Sequence, residues 1–239
     1  MKKQLYTLIV LLGTSALSFA QTADEIVTKH IAALGGADKI AGVKTAQYEQ
    51  TMSVQGMDLV GKTSVVVGKS ARSDISVMGQ TITQVVDGDK GWAINPMQGS
   101  TTAQDLPDDM VKLQKSTTEP TGMQLAYAKM NKLPYELVGK EKLDGKDVFN
   151  IKVTRPEGTY NYYVDPTSYQ LVGTKSDITV QGQKVNGSAM FADYKAVDGL
   201  TLPYTLTISG AGMPGTVTAK VTKLVINGPI DPSVFAKPK

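Results

Sequence analysis

Few side chains in this chain could carry covalent chemistry. His30 is the only histidine and there is no cysteine, so a Ser-His or Cys-His pair could be built only around that one imidazole, and no His/Cys cluster can hold zinc. His30 itself lies beside an apolar helical stripe, the usual setting of a packed structural histidine. Paired carboxylates occur at Asp87 with Asp89 and at Asp108 with Asp109. Acid–base work on a glycoside needs two carboxyls held across the sugar, one with its pKa raised by burial. Both of these pairs instead fall in a turn or at a helix start, where solvation and the helix dipole account for them. Asp87-Gly88-Asp89-Lys90-Gly91 opens like a calcium loop but lacks the later ligands. Gly210-Ala211-Gly212-Met213-Pro214-Gly215 reads as a hairpin tip, since no phosphate-binding helix follows it. The residue chemistry therefore points to a non-enzymatic protein, without cofactor or metal.

The chain begins with Lys2 and Lys3, an apolar run from Leu5 to Leu17, and Ser18-Phe19-Ala20. This is the pattern of a secretory signal peptide, with cleavage expected after Ala20 and export of the remainder. The apolar run is shorter than the ~20 residues of a membrane span, and no second candidate span follows. The absence of cysteine leaves nothing to lipidate after the signal and no disulfide framework. Residues 21–239 are expected to form one domain and to act as a monomer. Loss of Lys2 and Lys3 takes the formal charge from +3 to +1, and arginine occurs only at Arg72 and Arg155. Nucleic acid is thereby excluded as a partner, because no basic footprint is available.

These side chains must be positioned by an α+β framework. Thr22 and Glu25 form a capping-box pattern ahead of Val27, His30, Ile31 and Leu34 at helical spacing, and Gly35-Gly36 stops the helix. A short helical turn is expected around Asp38 to Ala41. From Val43 the period changes to two, which predicts strands near 44–54, 59–67, 73–78, 81–86 and 91–95. Two helices follow between Pro96 and Pro134, one behind Pro107 and one behind Pro120. Seven more strands are expected near 136–142, 148–154, 160–164, 171–180, 188–194, 202–209 and 216–226. Such one-sided strands make a strongly curved antiparallel sheet whose apolar face needs covering, and the helices are the available cover.

Several runs in this layout resemble a known family. Asp87-Gly88 followed by Trp92 and Asn95-Pro96, the segment Asp165-Pro166-Thr167-Ser168-Tyr169-Gln170, and the late run Tyr194 to Tyr204 with its Asp198-Gly199 turn and Pro203 are similar to the periplasmic outer-membrane lipoprotein-sorting (LolA/LolB-like) family. The resemblance implies a half-open β-barrel covered by an N-terminal helix and a two-helix mid-chain insertion, with an apolar cavity for acyl chains of lipids or lipoproteins. It also implies an arginine after the second strand that holds the lid. Here Lys69 stands in that place and Arg72 follows three positions later, so these two are the expected lid or mouth residues, although an ammonium cannot reproduce a guanidinium fork.

Strand residues expected to line the cavity are Trp92, Ile94, Phe149, Ile151, Tyr160 and Tyr162. From the helices come Met110, Met123, Tyr127 and Met130, whose adaptable methionines suit exchangeable apolar guests. The expected partners are lipid or lipoprotein acyl chains and, for exchange, envelope membrane proteins. The alternative is a β-rich interaction module packed solid, with no ligand cavity.

Overall fold

The computed structural model describes residues 21–54, 56–180, 182–210 and 215–238. The expected signal segment 1–20 and most of the expected tip at 210–215 lie outside them. The helices are α1 (Ala23–Ala33), α2 (Ala37–Ala41), α3 (Asp108–Gln114) and α4 (Gln124–Met130), with a 3₁₀ turn at Lys115–Thr118. The strands of the first half are β1 (Thr45–Val54), β2 (Met57–Val66), β3 (Ser70–Val77), β4 (Gln80–Asp87), β5 (Lys90–Asn95) and β6 (Ser100–Asp105). Those of the second half are β7 (Tyr135–Leu143), β8 (Lys146–Arg155), β9 (Gly158–Val164), β10 (Leu171–Val180), β11 (Gln183–Val197), β12 (Leu200–Gly210) and β13 (Val217–Ile226).

The thirteen strands of the described residues belong to one antiparallel sheet in the order β6-β5-β4-β3-β2-β1-β13-β12-β11-β10-β9-β8-β7. Every pairing joins consecutive strands except β1 with β13, which brings the two ends of the described chain together. Tight turns explain this order, because successive antiparallel strands pair without crossovers. The curved sheet stays open between β6 and β7, and the segment joining those two edges is the helical insertion. The half-open, helix-covered α+β architecture expected from the sequence is the one observed.

α1 starts where its capping box requires: the Glu25 amide donates to Thr22 Oγ1 at 3.2 Å, and the Thr22 amide donates to Glu25 Oε2 at 2.9 Å. Its apolar stripe, Ile26, Val27, His30 and Ile31, is buried on the inner face of the sheet with α4 and the strand residues Phe149, Ile151, Val153 and Val164. A second, smaller cluster lies elsewhere: Val85, Trp92 and Phe235 pack together, with Ile94 and Val234 against them. Phe235 belongs to a 3₁₀ turn at Pro232–Phe235 that follows β13.

Register shows that this second cluster occupies the outer face. Ala71, opposite Val86, belongs to the main core, whereas Arg72, opposite Val85, and Val85, opposite Trp92, alternate away from it. The expected inward placement of Trp92 and Ile94 is therefore corrected by one residue of register. The inner face of β5 is taken by Gly91, where a Cβ would stand 2.9 Å from the Val85 carbonyl oxygen and 3.0 Å from Leu106 of the insertion. No side chain but hydrogen leaves room for the segment leading into α3.

Candidate functional site

The inner face of the sheet is only partly filled by the helices. Between the 3₁₀ turn, the start of α4 and strands β9 to β12 runs a cleft of about 200 Å³, with Tyr160, Tyr162, Ala189, Phe191 and Leu206 on its apolar walls. Ser116, Thr117, Thr121 and Gln124 supply polar groups on the helical side, and Thr174 does so from the sheet. Register places Tyr162 opposite both Ile151 and Thr174, Thr174 opposite Ala189, and Phe191 opposite Leu206, so these strand residues share the inner face. The Tyr160 and Tyr162 rings stack with centroids 6.4 Å apart and planes at 28°.

The wall carries no charged side chain. Its titratable groups are tyrosines, and burial pushes the Tyr162 phenol up to about 12, so it stays neutral. No carboxylate, imidazole, amine or thiol stands among the residues lining the cleft. Among the described residues, no set of three or more His, Cys, Asp or Glu side chains is placed to hold a metal ion. What the cleft can do is remove apolar surface from water while a few hydroxyls and one amide meet a polar end.

Beyond the helical cover the inner face continues as a strip of aliphatic residues. Met52 is opposite Leu59, Ile75 opposite Ile82, and Val54 opposite Val217. Apart from Met52, these side chains are half-exposed, and neither packed cluster contains them. The greasy surface thus runs from the cleft toward the end of the sheet where β1, β3 and β12 finish.

One buried ion pair ties the insertion to the sheet beside this cleft. Arg155 at the end of β8 grips Glu119, which follows the 3₁₀ turn, through Nη1–Oε1 at 3.2 Å and Nη2–Oε2 at 2.8 Å. Both side chains are only 9% exposed. The guanidinium lies 5.6 Å from the centroid of Tyr160, a wall residue of the cleft. Burial raises the Glu119 carboxyl above the usual carboxylate range against the pull of Arg155. Arg155 Nε is buried with no hydrogen-bond partner. The pair was not foreseen: its partners stand 36 residues apart, and no local motif marks either one.

The expected lid residues lie elsewhere. Arg72 is on the outer face, donating to both carboxylate oxygens of Asp74 at 2.7 and 3.0 Å and to the Val234 carbonyl at 2.7 Å. Lys69 is exposed in the turn between β2 and β3. Of the ten expected lining residues, Tyr160 and Tyr162 border the cleft. Met123, Tyr127, Phe149 and Ile151 are packed in the main core. Met110 is half-buried on α3, and Met130, at the end of α4, is 37% exposed. Trp92 and Ile94 face outward, as described. The cleft residues missed by sequence reading, Ala189, Phe191 and Leu206, sit on strands whose alternation was visible but whose inner face was not.

No sequence-family model matches the chain, and no curated protein matches it. Solved structures do. An outer-membrane lipoprotein-sorting protein domain from Vibrio parahaemolyticus aligns over 89% of this chain and 95% of its own, with a TM-score of 0.57 at 12% identity. A LolA superfamily protein from Nitrosomonas europaea aligns over 91% and 99%, again with a TM-score of 0.57 at 12% identity. The fold is LolA-like. A DUF1329 family protein from Desulfovibrio piger shares it too, over 89% of this chain and 96% of its own, at a TM-score of 0.58 and 12% identity. The LolA-like resemblance noted in the sequence thus extends to the whole described architecture: one curved, unclosed sheet with its helices on the inner face.

Proposed function

We propose that this chain is an exported, non-enzymatic binding or carrier protein for lipids or lipoprotein acyl chains in the periplasm. The observation that carries the reading is the uncharged cleft beneath the insertion, continuous with a half-exposed aliphatic strip along the inner face of a LolA-like sheet. Each methylene moved from water onto such a surface is worth about 0.8 kcal/mol, so a single acyl chain supplies useful affinity without polar recognition. At about 200 Å³ the cleft is smaller than the ~300–1,000 Å³ of ordinary ligand sites. A guest therefore extends along the strip or displaces the insertion held by Glu119 and Arg155. The lipoprotein-sorting description of the Vibrio domain and the signal pattern in residues 1–20 support the same reading.

The test is direct. Lipid extraction of the purified protein followed by mass spectrometry should recover acyl-chain compounds, and a fluorescent fatty acid should bind in solution. Ala189→Trp places an indole in the cleft and should weaken probe binding by about tenfold, the loss of roughly two methylenes' worth of contact. Empty protein that also ignores the probe would sink the carrier reading and favour a solid interaction module.

A further inference from the structure

A meandering sheet alternates its turns between two rims, and the two rims of this sheet differ in chemistry. On the rim nearest the helices the two-residue turns are Gly88-Asp89, Asp144-Gly145 and Asp198-Gly199, and Lys69 stands in the β2–β3 turn. On the opposite rim the described turn residues of four tips carry no charge, Gly56, Met78 and Gly79, Pro96 to Gly99, and Gly182, while the strands leaving two of them open on Met57-Asp58 and Gln183-Lys184 with the opposite charges of Asp58 and Lys184 exposed. The β8–β9 tip, Pro156-Glu157, is the charged exception on this rim, and Glu157 there accepts from the Tyr160 hydroxyl at 3.2 Å. Successive tips on one rim lie about 10 Å apart, two strand spacings.

This rim displays methionine. Met78 is 80% exposed, Met97 is 53% exposed and Met57 is 41% exposed. Turn chemistry makes Met78 the most telling. Its φ of 50° followed by 78° at Gly79 repeats the geometry of Asp144-Gly145 (48° and 79°) and Asp198-Gly199 (49° and 75°). Such a turn favours Asp or Asn at its first position, because both tolerate the left-handed conformation. Methionine there serves neither the turn nor solubility. The aliphatic strip that leaves the cleft ends at these tips, with Val54 opposite Met57.

We propose that this rim docks on the surface of a phospholipid bilayer, with Met57, Met78 and Met97 lodged at the boundary between headgroups and acyl chains. Isolated prongs about 10 Å apart, spaced by glycines, offer no continuous patch of the ~800 Å² per partner that a stable protein interface buries. A fluid interface moulds around such prongs. Glutamines at the tips, Gln80, Gln98 and Gln183, carry amides that suit ester carbonyls and phosphate oxygens without adding charge. Docking is accordingly independent of anionic lipid and insensitive to salt. It also turns the aliphatic strip toward the membrane, so an acyl chain could pass between bilayer and cleft without crossing water. That last consequence rests on the carrier reading; the docking itself does not.

Flotation of the purified protein with protein-free, neutral phosphatidylcholine vesicles tests the proposal. The wild type should partition onto them equally at low and high salt. The double variant M78N/M97N should partition at least tenfold more weakly while keeping its circular dichroism and unfolding midpoint, since asparagine suits the φ of position 78. Binding of the fluorescent fatty acid in vesicle-free buffer should be unchanged in M78N/M97N, and A189W should float while losing the probe, so failure of docking and failure of cargo binding are told apart. Wild type that stays unbound, floats only with vesicles containing envelope proteins, or requires anionic lipid overturns the proposal, as does a double variant that floats like the wild type.

Discussion

The one histidine sets an acid limit on this fold whose size follows from its surroundings. His30 is fully buried in α1, and its Nδ1 lies 2.9 Å from the Tyr169 carbonyl oxygen, which can only accept. Nδ1 therefore carries the proton in the neutral ring, and Nε2 is a buried acceptor with no partner. Protonating Nε2 would put an unpaired charge into the core, and burial lowers the pKa from 6.5 to about 4 despite the Tyr169 bond. An unfolded chain takes up its proton near 6.5 while the folded chain refuses it until about 4, so stability present above 6.5 drains away as the pH falls between those values. At about 1.4 kcal/mol per pH unit the loss is roughly 2 kcal/mol by pH 5 and about 3 kcal/mol below pH 4. Urea unfolding of wild type and His30→Asn between pH 7.5 and 4 isolates the effect, because the asparagine amide can replace the Nδ1 donor but cannot titrate. The wild-type-minus-variant difference in unfolding free energy should shrink steadily on acidification. A difference that stays constant across this range would refute the reasoning.

Further outcomes follow from other contacts. Glu119→Ala removes one partner of a buried pair and should cost about 3–5 kcal/mol, whereas Glu119→Gln keeps the shape and one of the two hydrogen bonds but sets its amide NH2 against the other guanidinium N–H, and should quicken proteolysis within residues 106–123 and association of the fatty-acid probe. Equal proteolysis rates in wild type and E119Q would show that the pair does not hold the insertion down. Phe235→Ala should destabilise by about 3–5 kcal/mol, as for other buried aromatics. It should also red-shift the emission of Trp92, the only tryptophan, whose Nε1 donates to the Phe235 carbonyl at 3.0 Å. An unshifted spectrum would mean that the C-terminal turn does not cover that ring.

How far the sequence could be read depended on whether each strand had a wet face. Strands such as β8 showed their side plainly, with Phe149, Ile151 and Val153 inward and Lys152 and Thr154 outward. β5 did not, because Leu106 and Val111 of the insertion cover one face at Gly91 and the C-terminal turn covers the other at Trp92. Alternation in such a strand has no polar side to mark it, and the tryptophan was assigned to the wrong face. β6, Ser-Thr-Thr-Ala-Gln-Asp, has no apolar period and went unseen because it is an edge strand with most of its side chains in water. The turn at Pro232–Phe235 was missed for a different reason: its role depends on a groove formed by strands some 140 residues earlier, as the Trp92 bond shows. Arg155 was noticed only as one of two arginines, since nothing nearby names its carboxylate. The candidate site was legible as a class, an apolar hollow under helices, and partly as residues through Tyr160 and Tyr162.

The unpaired edges of β6 and β7 give the wall a single seam, spanned by covalent chain instead of ladder bonds. Girth can change there without breaking one interstrand hydrogen bond, so under the proposed carrier role guests of unequal bulk need not each find a matching mould. How wide the vessel can gape is then limited by the tether's length and its anchoring, quantities that shortening the segment between Asp105 and Tyr135 would alter while every strand stayed in register.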